Sequence, residues 1–238
     1  MSLRPTRSRL PVLPIRQTIY ILCSTIVLQI VVVVLCFRWF GAADEAKQVD
    51  GMRLMALTLF PASAGIAWIW LHAVWGERQG WRGLGIITPP SKWLSYAVFA
   101  GVIAVILNSS IVHLFQPILG SPSPLPIGGS GGLTDQPVYV IFAFFVGASI
   151  LAPLLEEIIF RAILFARLRQ QFTFLPAAAI SAVSHAIMHG DVATMPGLTV
   201  VFIIFAYLYE RTGCLWLPII AHGVHNLLVL VAAFMALS

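Results

Sequence analysis

The chain has 238 residues, of which 59% are hydrophobic and 10% charged, with a mean hydropathy of +0.93 and a formal net charge of +5. A soluble globular domain carries about 25% charged residues, so this composition excludes one and points to a single-domain integral membrane protein. The basic residues flank apolar segments instead of forming a patch, which favours the lipid bilayer over nucleic acid as their partner.

Residues 1–17 carry Arg4, Arg7, Arg9 and Arg16 with three prolines. They read as a basic cytoplasmic segment. The apolar run behind them is too long for the core of a cleavable signal peptide. Seven apolar segments follow, at 18–37, 54–75, 93–115, 138–167, 172–189, 196–209 and 214–237. A helical span needs about 20 residues, so the sixth is short. Residues 116–136 hold five glycines and four prolines and read as a loop. Cys23, Cys36 and Cys214 show neither zinc spacing nor a disulfide framework. The expected fold is an all-α, polytopic transmembrane bundle of about seven spans. It divides into the basic segment, N-terminal helices and loops over 18–137, and helices over 138–238 that carry the chemistry.

Lysine and arginine set the orientation. With the N-terminus in the cytoplasm, eleven basic residues fall inside: Arg4, Arg7, Arg9, Arg16, Arg78, Arg82, Lys92, Arg161, Arg167, Arg169 and Arg211. Only Arg38, Lys47 and Arg53 fall outside.

The fourth segment runs into Glu156-Glu157-Ile-Ile-Phe-Arg161 and stays apolar to Arg167. An ionisable group at membrane depth costs about 2.5–3.5 kcal/mol, so it marks a functional site by default. His185-Ala-Ile-Met-His189 closes the fifth segment, and His222-Gly-Val-His225-Asn226 lies on the seventh. Counted from the cytoplasmic ends, Glu156 and His222 are each about 17 Å deep, and His189 and Asn226 about 22 Å. Three helices thus bring polar groups to one layer.

Glu157 and Arg161 are four residues apart with the acid first, the favourable order for a pair. Glu156 is turned about 100° away, which leaves it as the free base and Glu157 as the supporting partner. Pro153 upstream is placed to kink the helix. His222 and Asn226 share a helix face. A carboxylate with a histidine can activate water, and His with Asn can form an oxyanion hole. That set fits amide hydrolysis without a covalent intermediate. His225 reads as a bystander, and His72, His113 and Asn108 as interhelical contacts.

With those residues in view, the chain resembles the CAAX prenyl protease and bacteriocin-processing (CPBP, Abi-type) family of intramembrane glutamic endopeptidases. Glu156 to Arg161 matches its EExxxR motif, His189 the histidine of FxxxH, and His222 with Asn226 the HxxxN motif. The likeness covers about residues 138–230. It implies a catalytic core there, with water activated by Glu156 and His189 and an oxyanion hole from His222 and Asn226. Glu157 and Arg161 would be supporting residues, and no metal or other cofactor is implied. The substrate would be a membrane-anchored protein or peptide, and the location the bacterial inner membrane. One position departs from the pattern: His185 stands where the family has phenylalanine. It reads as a packing or hydrogen-bonding residue, though its spacing from His189 also suits a metal. Two alternatives therefore stand beside the peptidase. One is a zinc hydrolase using His185, His189, His222 and a glutamate. The other is a non-proteolytic scaffold or immunity protein of the same fold.

Overall fold

The computed structural model describes residues 10, 13–39, 51–75, 80–122 and 133–237. Arg4, Arg7 and Arg9 of the basic segment, Lys47, Arg78 and residues 123–132 of the loop 116–136 lie outside the described residues. Among those described there is no strand. Seven helices, with short 3-10 turns at Trp81–Leu84 and Leu133–Asp135, account for the described residues: α1 (Ile15–Trp39), α2 (Gly51–Ile69, continued as a π-turn over Trp70–Trp75), α3 (Ser91–Leu119), α4 (Val138–Leu168), α5 (Phe174–Met188), α6 (Met195–Thr212) and α7 (Trp216–Leu237). Five segments are long and apolar enough to cross a membrane: Ile15–Trp39, Leu54–Val74, Ser91–Leu119, Val138–Leu168 and Trp216–Ala236. The helices α5 and α6, with 15 and 18 residues, are the short members. All seven expected segments are therefore helical. Boundaries shift by a few residues, and α3 continues past the expected end at 115 through Pro117 to Leu119, because a proline in a helix's last turns removes only one backbone hydrogen bond.

The outer surface is apolar. Ile30, Phe99, Leu114, Phe142 and Met235 are all exposed, as suits side chains whose solvent is lipid. His113 is also exposed. His72 does bridge helices, with its ring 5.3 Å from that of Tyr20 on α1. Principal packings pair α2 with α4, α3 with α7, α5 with α6, α1 with α2, α3 with α6, and α4 with α7. Small residues allow the closest approaches. A Cβ at Gly101 would lie 2.5 Å from the Ala221 carbonyl oxygen, and one at Gly197 would strike Asn108.

The two ends of the bundle are distinct. At one end Leu215 N–H donates to Gly85 O at 2.7 Å, Cys214 Sγ reaches Ile87 O at 3.2 Å, and Arg169 forks onto Glu210 at 2.6–3.2 Å. Leu13 packs into the same cluster as Leu84, Phe165, Tyr209 and Leu215. At the other end Leu54, Leu133, Val140, Phe144 and Leu230 form a separate cluster. The segments that the basic-residue count places on one side thus meet at one end.

The helix α4 departs from regular winding. It is π-helical over Gly147–Leu151 and again over Ile158–Phe165, with an α-helical stretch, Ala152–Glu157, between. Pro153 supplies part of the reason. It has no N–H for the carbonyl four residues back, that of Ser149, and its ring crowds that oxygen. A wider turn over 147–151 relieves the crowding. Neighbouring helices then use the loosened carbonyls, as membrane helices require. Asn226 Nδ2 donates to Ala148 O at 2.9 Å, and Ser181 Oγ to Phe160 O at 2.7 Å.

Candidate active site

Glu156 and Glu157 end the short α-helical stretch of α4, and Arg161 lies in the π-segment beyond. Glu157 and Arg161 are fully buried, with Arg161 Nε 3.1 Å from Glu157 Oε2. The pair is close in charge but not aligned as a hydrogen bond. Arg161 places its other donors elsewhere: Nη2 on Phe202 O of α6 at 3.1 Å, and Nη1 2.7 Å from His185 Nδ1 of α5. Its guanidinium carbon also lies 5.1 Å from the centre of the Phe202 ring. A buried cation survives here because its charge is paired with Glu157 and both Nη nitrogens have acceptors.

The second carboxylate oxygen of Glu157, Oε1, lies 2.9 Å from His222 Nδ1 on α7. The carboxylate accepts, so Nδ1 carries a proton and Nε2 is turned to Glu156 Oε2, 3.6 Å away. This is the arrangement of an imidazole oriented by a carboxylate. Glu156 is the more open of the two acids, its side chain 28% exposed. Its Oε2 also takes His185 Nε2 at 3.0 Å. Donor atoms of Glu156, His185 and His222 all lie within 4.8 Å of one another.

The depths are unequal to those counted from sequence. Gly213 stops α6 in the left-handed conformation, φ 65°, and α7 begins only at Trp216. His222 therefore stands on the second turn of α7, about 9 Å in. Glu156 is about 18 Å from Leu168, the end of α4. Both measure from the end where Arg169 meets Glu210.

His189 is placed differently from the rest. It caps α5, is exposed, and has its ring centre 5.5 Å from that of His185 and 5.6 Å from that of Phe202. It stands at the rim of the cluster, and the buried place one turn earlier goes to His185. Asn226, half-buried, spends one amide hydrogen on Ala148 O. His225, expected as a bystander, sits with Nδ1 3.1 Å from Asn226 Oδ1 and so fixes which way that amide points. Sequence alone had not paired His225 with Asn226, His222 with Glu157, or His185 with Glu156 and Arg161. Each joins residues whose approach depends on how helices rotate, except the adjacent pair 225 and 226.

Lipid-facing helices around an enclosed chain of two acids, an arginine and two histidines define an integral membrane protein with a polar site among its spans. Residues 137–228 match the family described as type II CAAX prenyl endopeptidase Rce1-like, and every residue of the cluster lies within that range. The likeness drawn from the three motifs holds over this segment. Among curated relatives, a "putative membrane peptidase YdiL" of Bacillus subtilis (strain 168) is 42% identical over 84 residues, 35% of this chain and 34% of that protein. A "membrane-embedded CAAX protease MroQ" of Staphylococcus aureus (strain USA300) is 36% identical over 92 residues, 36% of each. The match thus spans about a third of the length of both relatives. No solved structure matches.

Proposed function

We propose that this protein is an intramembrane endopeptidase of the glutamic type, cutting a membrane-anchored protein or peptide in the bacterial inner membrane. The observation that carries the reading is the division of labour between the two acids. Glu157 is fully buried and used up by Arg161 and His222, whereas Glu156 is partly exposed and keeps Oε1 without a contact among the described residues. Glu156 takes the proton of a water held at Oε1. The water attacks the scissile carbonyl, and Glu156 returns the proton to the leaving amine. His189, at the rim, steadies the water as substrate covers the opening. His222, oriented through Nδ1 by Glu157, and the second amide hydrogen of Asn226 stabilise the oxyanion.

The test compares membrane-protein termini, by peptide mass spectrometry, in cells making the wild type or Glu156→Gln. A terminus present only with the wild type is expected, with a rate loss of about 10²–10⁴-fold in the variant, as befits a lost general base. Identical termini in both would overturn the reading in favour of a binding scaffold.

A second reading is favoured by the Glu156, His185 and His222 donors lying within 4.8 Å, which is a plausible divalent-metal set. Donor chemistry weighs against it. A ligating imidazole needs a lone pair on the coordinating nitrogen. Arg161 has only donors, so at 2.7 Å it takes the Nδ1 lone pair of His185 and leaves the proton on Nε2. A metal at Nε2 would put two donors face to face. We expect activity to survive exhaustive chelation; loss with chelator and recovery with zinc would install the metal reading instead.

A further inference from the structure

We propose that His185 is a positioning residue that tethers Glu156, held by Arg161 in the tautomer this requires; the inference rests on the reading of Glu156 as the base. The starting point is the donor count. Arginine offers donors only, so Arg161 Nη1 donates to His185 Nδ1 across 2.7 Å. A neutral imidazole has one ring proton, which then sits on Nε2. Nε2 faces Glu156 Oε2 at 3.0 Å and donates to it.

The ring has little freedom to do otherwise. It is fully buried and stacked between Phe160, with centres 4.1 Å apart and planes 11° apart, and Phe202, at 3.7 Å and 6°. Two aromatic faces on either side block rotation of the imidazole about its second side-chain torsion. Arg161 is anchored in turn by Phe202 O and Glu157. A continuous chain, Glu157–Arg161–His185–Glu156, thus runs from the enclosed acid to the accessible one and crosses from α4 to α5 and back. Its output is the orientation of one carboxylate. With Oε2 pinned, Oε1 is the oxygen left to face the opening. A phenylalanine at 185, as in the motif this segment resembles, would fill the same aromatic slot but provide no donor.

The test uses the full chain in lipid nanodiscs and has an arm that needs no substrate. Nitrogen-15 spectra of labelled histidines, with His185 identified by its loss in His185→Gln, should show an unprotonated Nδ1 and a protonated Nε2 at neutral pH. The Glu156 carboxylate stretch, isolated by infrared difference against Glu156→Gln, should shift in His185→Phe and His185→Asn and return in His185→Gln. Glutamine brings an amide N–H near the Nε2 position, and asparagine brings its amide near Nδ1. If the phenylalanine variant does not fold, the Gln and Asn pair decides. A proton on Nδ1, or a stretch that is the same in Asn and Gln variants, would overturn the tether. In the second arm, fluorogenic peptides chosen for cleavage by the wild type should show kcat down about 10²-fold in His185→Asn with KM little changed, and recovery to within about tenfold in His185→Gln. The expected spectra with undiminished cleavage by Glu156→Gln would keep the tether and sink the base. A dead Glu156→Gln with unmoved spectra and kcat in His185→Asn would sink the tether and keep the base.

Discussion

Glu157 serves two helices with one carboxylate: Arg161 of its own helix on Oε2 and His222 of α7 on Oε1. Replacing it by glutamine removes the charge from both contacts at once. Breaking a buried ion pair on one side costs about 3–5 kcal/mol because the partner is left uncompensated. Glu157→Gln should therefore melt at clearly lower temperature as well as lose activity, whereas Glu156→Gln should melt near the wild type. Thermal unfolding of both variants in the same detergent checks this. A Glu157→Gln protein as stable as the wild type would mean that the two acids have exchanged roles. The Glu157–Arg161 pair was legible in the sequence because a spacing of four fixes a shared face whatever the helix packs against. The His222 contact was not, since its partner is 65 residues away and on another helix. The two histidines of α5 show the same limit. His185 and His189 share a face, so spacing cannot say which enters the bundle. The stop signal can: Gly190, at φ 71°, ends the helix and leaves His189 at its tip. A glycine next to a histidine was the clue to its shallow, exposed place.

The helices reach one another at this site through backbone more than through side chains. Pro153 denies the Ser149 carbonyl its usual α-helical donor, and α7 comes against it at Gly223. A Cβ at Gly223 would lie 2.6 Å from that oxygen, inside any permitted contact and against backbone that cannot swing away. Gly223→Ala should push α7 off α4. The neighbours His222 and Asn226 would lose Glu157 and Ala148 O together. Over-packing of this kind costs about 1–3 kcal/mol, but the larger effect should be on rate, since misplacement by about 1 Å can cost 10²-fold. Measuring both separates them: a variant with lowered melting temperature and normal turnover would show that this contact does not set the site. The sequence displayed Pro153 and the possibility of a kink, but not the two π-segments. Their turns are stabilised by Asn226 and Ser181 from α7 and α5, so the winding of α4 depends on residues far along the chain.

For the whole bundle, the open question is which side of the membrane the site faces, and two lines of argument meet on it. The lysine and arginine bias assigns segments 76–92, 167–171 and 210–213 to the cytoplasm. The structure brings the described parts of these segments together at one end, through Gly85–Leu215, Ile87–Cys214 and Arg169–Glu210. His222 is about 9 Å along α7 from that end, short of the middle of a hydrocarbon layer of about 30 Å, and Glu156 meets it there across 3.6 Å. A site at that depth should open to the cytoplasmic half, with substrate arriving from the inner leaflet or between helices. In a background with Cys23, Cys36 and Cys214 replaced by alanine, Arg82→Cys should react with an impermeant thiol reagent only from the cytoplasmic side. Ser121→Cys, exposed just past α3, should react only from outside. Glu156→Cys keeps the Glu157–Arg161 pair and has a partly exposed position, so it should react from inside and stay protected outside. Correct labelling at 82 and 121 with outside labelling at 156 would reverse the direction of access, because the helix ends would then be placed correctly and only the path from the site to water would be wrong.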